Sequence, residues 1–220
     1  MTFPDAVVFD MDGILIETEP IWDRVRRRIA AQDGIEWPES STPIMMGLST
    51  REWAEHMRDA IGIRGTWEEV AERTIGGMAD EYAYGGLPVL PGAVEAVRRM
   101  AGLAPTAIAS SSPRRLIDLV VERLDLSDAL AVTVSTEEVP RGKPFPDGYL
   151  RACELLGVDA SRTVAVEDST NGVKSAHAAG MAVACVPPAF YPPAEDTLAL
   201  CGAVLTTLDE LTEDLVRSLR

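Results

Sequence analysis

The chain has 220 residues, 46% hydrophobic and 25% charged, with a formal net charge of −15. This suits a globular protein with a sizeable core. The acidic balance excludes a general nucleic-acid or anionic-membrane surface, which needs a basic face.

No stretch is apolar for long enough to span a bilayer, and no basic region followed by an apolar one opens the chain, so neither membrane insertion nor export is expected. Cys153, Cys185 and Cys201 form no CxxC pair, and the only histidines are His56 and His177. Neither a disulfide scaffold nor a zinc site is expected, and a reducing cytoplasm fits the pattern.

The first predicted element is an apolar strand, Ala6–Phe9, which ends in Asp10-Met11-Asp12-Gly13. From about Leu15 to Leu87 no strand is evident, and helical patterns occupy Ile21–Ala31, Thr50–Ile61 and Trp67–Tyr82. The run from Tyr84 to Gly92 is dense in Gly and Pro and reads as a linker. Beyond it, helices at Gly92–Met100, Pro113–Leu124, Pro146–Leu156, Gly172–Ala179 and Leu208–Leu219 alternate with strands. Those strands are Thr106–Ala109, Ala131–Val134, Thr163–Val166, Met181–Val186 and a weaker Ala203–Leu205. Continuous apolar strands spaced by helices predict a parallel sheet covered on both faces. The expected fold is a Rossmann-like, doubly wound α/β core, residues 1–14 and 88–220, with an inserted α-helical domain at 15–87.

Ligands of open parallel sheets bind at the carboxyl ends of the strands. Following the predicted strands in turn are Asp10 and Asp12; Ser110, Ser111 and Ser112; Lys143; and Glu167 and Asp168. So many carboxylates on one rim need a cation, and oxygen ligands suit Mg²⁺. Beside such an ion Asp10 is a candidate nucleophile toward phosphorus and Asp12 a general acid and base. Ser110 and Lys143 are candidates for holding the phosphoryl oxygens. Eighteen of the twenty basic residues are Arg, so Lys143 marks a place where a compact ammonium is wanted. Ser112 followed by Pro113 reads as a helix cap, leaving Ser110 and Ser111 to face phosphate.

Asp10-Met11-Asp12-Gly13, Ser110, Lys143-Pro144 and Glu167-Asp168-Ser169, in this order, resemble the four motifs of the haloacid dehalogenase superfamily. The run Glu167-Asp168-Ser169-Thr170-Asn171-Gly172 is similar to its β-phosphoglucomutase-like branch. The resemblance implies that residues 15–87 are the α-helical cap, that Asp10 is nucleophile and metal ligand, and that Asp12 is acid/base and gives the metal its backbone carbonyl. It further implies that Ser110 and Lys143 hold phosphate and that Glu167 and Asp168 anchor Mg²⁺.

In the insertion, Thr18, Glu19, Trp22, Gly47, Ser49 and Arg51 are candidates for substrate contact. Met45-Met46-Gly47-Leu48-Ser49 resembles the family's specificity loop, which favours Gly47 and Arg51.

The absence of lysine from the insertion excludes the phosphonatase branch, and Asp12 with Glu167-Asp168 speaks against the dehalogenases. Where the mutase has a histidine this chain has Trp22, and Glu19-Pro20-Ile21-Trp22 resembles bacterial hexitol and 2-deoxyglucose 6-phosphate phosphatases. A monomeric Mg²⁺-dependent phosphatase of small phosphorylated metabolites, preferably sugar phosphates, is expected. A β-phosphoglucomutase-type transferase and a catalytically inactive binding module are the alternatives.

Overall fold

In the computed structural model, which describes residues 3–45, 48–189 and 192–219, six parallel strands form one sheet. They are β1 (Ala6–Phe9), β2 (Thr106–Ser110), β3 (Val132–Ser135), β4 (Thr163–Glu167), β5 (Ala182–Cys185) and β6 (Ala203–Val204). Their order is β3-β2-β1-β4-β5-β6, so the chain reverses its direction of winding between β1 and β4. Phe9 stands opposite Ile108 on one side and Val166 on the other, bringing the three strand ends together.

Successive β1 residues serve opposite layers, as strand alternation requires. Val7 and Phe9 pack with α5 (Ala93–Ala101) and α6 (Arg114–Arg123), whereas Val8 packs with α7 (Asp147–Leu156) and α8 (Thr170–Ala178). Burial on both faces explains why these strands are apolar throughout rather than alternating.

Between β1 and α5 lie α1 (Glu19–Gln32), α2 (Ser41–Met45), α3 (Thr50–His56) and α4 (Trp67–Asp80). Capping boxes start α3 at Ser49 and α4 at Thr66. Each of these two helices ends in a wider turn, Met57–Ile61 and Glu81–Gly85. The outgoing and returning connections run side by side, with Ile16 bridged to Val89 and the Leu90 amide donating to the Leu15 carbonyl at 2.9 Å.

Two local expectations are corrected. The helix predicted from Gly172 begins at Thr170, because the Ser169 hydroxyl accepts from the Gly172 amide and caps it. The C-terminal pattern divides into a single turn, Leu208–Glu210, and α10 (Glu213–Ser218), with Thr212 capping the latter. Two short helices, α2 and α9 (Glu195–Leu198), are too brief for a periodic signal. Among the described residues, no helix is long and apolar enough to cross a membrane.

Candidate active site

The four stretches singled out at strand ends converge. The Asp10 amide donates to the Val166 carbonyl at 2.9 Å, locking the β1 tip to β4. Gly13 adopts φ +80°, and a Cβ there would lie 2.0 Å from Asp168 Oδ2, so only glycine allows the turn and that approach. A Cβ on Gly172 would come within 2.0 Å of three atoms of the Glu167 carboxylate, so the first turn of α8 makes room for that acid.

Asp10, Glu167 and Asp168 form the acidic cluster, with ligand oxygens all within 4.8 Å of one another. Lys143 Nζ donates to Glu167 Oε1 at 2.6 Å and stands 2.9 Å from Asp10 Oδ1. The second contact has the distance of an ion pair without the angle of a directed hydrogen bond. Tyr149 adds its hydroxyl to Glu167 Oε1 at 2.7 Å, while the Asp168 and Ser169 amides and the Ser169 hydroxyl donate to Oε2.

These surroundings set the charges. Burial pushes Glu167 up, but the Lys143 ammonium and the hydrogen bonds outweigh it and hold the carboxyl below its ordinary value. Burial pushes Asp10 up to about 8 despite Lys143, with Glu167 and Asp12 adding to the rise. Burial and the neighbouring Glu167 and Asp10 raise Asp168 well above the usual carboxylate range. Asp168 Oδ1 is buried and, among the described residues, meets no hydrogen-bond partner. Three crowded carboxylates, one lysine and an orphaned oxygen fit a hard divalent cation such as Mg²⁺.

Asp12 has a different setting. Its carboxylate turns away from the cluster to three hydroxyls: Thr18 donates to Oδ1 at 2.6 Å, and Ser112 and Ser110 donate to Oδ2 at 2.7 and 3.2 Å. The Ser110 hydroxyl in turn accepts from the Ser112 amide at 3.0 Å. Ser112 was expected to cap α6. Instead Pro113 occupies that position without a side-chain cap, and the Ser112 hydroxyl serves Asp12. The Ser135 hydroxyl fixes the loop by donating to the Ser112 carbonyl at 2.7 Å.

The remaining candidates are distributed less closely. Ser111 is half-buried beside this group. Thr18 is buried against Asp12, and Glu19 opens α1 with Oε2 lacking a protein partner among the described residues. Trp22 is buried, its ring 5.7 Å from that of Trp53. Arg51 is exposed on α3, paired with Glu55 at 2.8 Å and lying over Trp67, so it is not brought to the acids. Ser49 is engaged in capping α3. Gly47 lies outside the described residues.

Sequence reasoning named Ser112 only as a cap and did not single out Tyr149, which donates to Glu167, or Arg26 and Tyr82, whose polar atoms are buried. Arg26 carried a readable signal: it shares an i, i+3, i+4, i+7 face with Trp22, Val25 and Ile29, where a charge is out of place.

An acid-and-lysine rim at the switch point of a Rossmann-like sheet, with helices inserted directly after the first strand, places a candidate ligand site at the carboxyl ends of β1 and β4. The chain belongs to the haloacid dehalogenase-like hydrolase family, whose model matches residues 4–180. It is 35% identical to hexitol phosphatase B of Escherichia coli (strain K12) over 217 residues, covering 94% of each chain. It is 33% identical to a phosphorylated carbohydrates phosphatase of Thermotoga maritima, across 80% of this chain and 82% of that one. The crystal structure of CbbY from Rhodobacter sphaeroides in complex with phosphate shares the fold, with a TM-score of 0.82 at 22% identity, covering 94% of this chain and 96% of that one.

Proposed function

We propose that the protein is a Mg²⁺-dependent phosphatase of small phosphorylated metabolites, with sugar phosphates as its substrates. The single observation that carries this reading is the contrast between two carboxylates two residues apart. Asp10 sits among acids and beside Lys143, while Asp12 is held by three hydroxyls. The resemblance to two phosphatases of phosphorylated polyols and carbohydrates supports the substrate class.

In this reading an Asp10 oxygen attacks phosphorus, forming an aspartyl phosphate as the ester P–O bond breaks. Asp12 gives its proton to the leaving alkoxide, then takes one from the water that attacks phosphorus. That second step releases inorganic phosphate and restores the Asp10 carboxylate. Ser110 and Lys143 bind phosphoryl oxygens. Asp10, Glu167 and Asp168, with the Asp12 backbone carbonyl, would hold Mg²⁺, which supplies positive charge against the phosphoryl oxygens. Residues 15–87 act as a cap over residues 1–14 and 88–220, and the enzyme works as a monomer in the cytoplasm.

The test is a screen of sugar and polyol phosphates with Mg²⁺ and with EDTA. Phosphate release that needs Mg²⁺ is expected, and absence of turnover across a broad ester panel sinks the enzyme reading in favour of an inactive binding module. Conversion of β-glucose 1-phosphate to glucose 6-phosphate faster than phosphate release would make the protein a mutase. The buried Trp22 at the mutase's histidine position favours hydrolysis.

A further inference from the structure

Beyond the strand-end acids, a second group of polar atoms is buried without partners. Among the described residues, Glu19 Oε2, Arg26 Nε and Nη1 and the Tyr82 hydroxyl are shut off from solvent and make no hydrogen bond. Arg26 is only 4% exposed and Tyr82 only 1%, so neither finds water by turning outward. Burying such groups without hydrogen bonds is costly, although Glu19 and Asp23 favour the Arg26 charge from nearby.

Their placement is not scattered. Glu19, Trp22 and Arg26 share one face of α1, at spacings of three and four residues. Tyr82 comes from the wide turn that ends α4, a helix packed on α1. The Arg26 guanidinium carbon lies 4.9 Å from the centre of the Trp22 ring and 5.8 Å from that of Trp53. The group borders the reacting end, since Asp12 acts electrostatically on both Glu19 and Tyr82, and Thr18, adjacent to Glu19, donates to Asp12.

We propose that Glu19, Arg26 and Tyr82, with the indoles of Trp22 and Trp53, form the subsite for the hydroxyl-bearing carbon chain of a phosphorylated polyol or sugar. This rests on the phosphatase reading and deepens it. A hydroxyl both donates and accepts, so neighbouring hydroxyls answer a carboxylate acceptor, guanidinium donors and a phenol together. The indole faces suit the C–H surface of such a chain. An apolar tail would leave every polar atom unpaired, which is the strongest basis for rejecting a wrong substrate.

The test compares kcat/KM for sorbitol 6-phosphate with that for 4-nitrophenyl phosphate in the wild type, Glu19→Gln and Tyr82→Phe. The ratio is expected to fall about tenfold or more in Glu19→Gln and about threefold to tenfold in Tyr82→Phe. A merely structural role lowers both esters together, so an unchanged ratio in both variants overturns the subsite.

A second arm uses Asp10→Asn and reads binding by indole fluorescence, with sorbitol 6-phosphate and inorganic phosphate as probes. Adding Glu19→Gln is expected to weaken sorbitol 6-phosphate about tenfold relative to phosphate; an equal change in both overturns the proposal. A hexose bisphosphate that binds more tightly than sorbitol 6-phosphate overturns the ligand class. If the wild type hydrolyses neither ester, the phosphatase reading falls while the binding arm still decides the subsite.

Discussion

The Lys143 ammonium lies 2.6 Å from Glu167 Oε1 and 2.9 Å from Asp10 Oδ1, so one cation ties the tip of β1 to the tip of β4. Its side chain is 6% exposed, and the space is shaped for a point charge. Lys143→Arg keeps the charge but inserts a planar fork, and kcat/KM on a sugar phosphate is expected to fall by at least about tenfold. Lys143→Met strands buried acids and is expected to cost about 3–5 kcal/mol in urea unfolding without divalent ions. Near-normal rates in Lys143→Arg would show that a compact ammonium is not required.

Asp10 couples activity to instability. Burial raises its carboxyl to about 8, so in the metal-free protein its charge is disfavoured at neutral pH. Asp10→Asn is expected to abolish turnover and the binding of beryllofluoride seen by fluorine NMR, while raising the Tm of the metal-free protein. Retained turnover refutes Asp10 as nucleophile.

Ser112 and Ser111 separate a hydroxyl on Asp12 from one merely nearby. Ser112→Ala removes the 2.7 Å donor to Asp12 Oδ2 and is expected to lower kcat about threefold to tenfold. Ser111→Ala should cost less. Steady-state kinetics on the two variants decide it, and the reverse order would mean that the Ser112 hydroxyl on Asp12 does not matter to turnover.

Gly172→Ala places a methyl within 2.0 Å of Glu167 carboxylate atoms at a helix backbone that has little room to yield. About 1–3 kcal/mol of stability is expected to be lost, together with a higher Mg²⁺ concentration for half-maximal rate. Identical Mg²⁺ titrations in variant and wild type would contradict the placement of Glu167 against this turn.

Glu19 supplies a pH signature away from the acid cluster. Burial raises its carboxyl to about 7, with Arg26 opposing and Asp12 adding to the rise. Between its unfolded value near 4.5 and 7 the folded chain holds the extra proton, so stability falls as pH rises through that window. Glu19→Gln should therefore stabilise the ligand-free protein more at pH 8 than at pH 5, by on the order of 3 kcal/mol. Tm measurements at the two pH values check this, and an equal gain at both means that Glu19 ionises freely in the fold.

Much of this arrangement is legible in the sequence. Strands buried on both faces read as unbroken apolar runs, and their ends and the loops that follow supplied Asp10, Ser110, Lys143 and Glu167. What escaped depends on tertiary neighbours. Tyr149 lies on the apolar face of α7, and only the position of that helix against β4 carries its hydroxyl to Glu167. Arg26 hides within a run of arginines, of which Arg24 and Arg28 pair with Glu81 and Arg27 with Asp23 and Glu39 near the surface. Ser112 satisfied the usual pattern of a helix start, and the nearby Asp12 carboxylate took its hydroxyl instead.

The central place of β1 also bears on how the chain folds as it is made. Both of its hydrogen-bonding neighbours, β2 and β4, lie far along the chain, and Asp12 waits 100 residues for the Ser112 hydroxyl. Such distant pairings slow folding, whereas helices form from local contacts. On the ribosome, where N-terminal segments fold first, the helices from Glu19 onward emerge before either partner strand and become the earliest structured neighbours of an apolar strand that has no sheet to join.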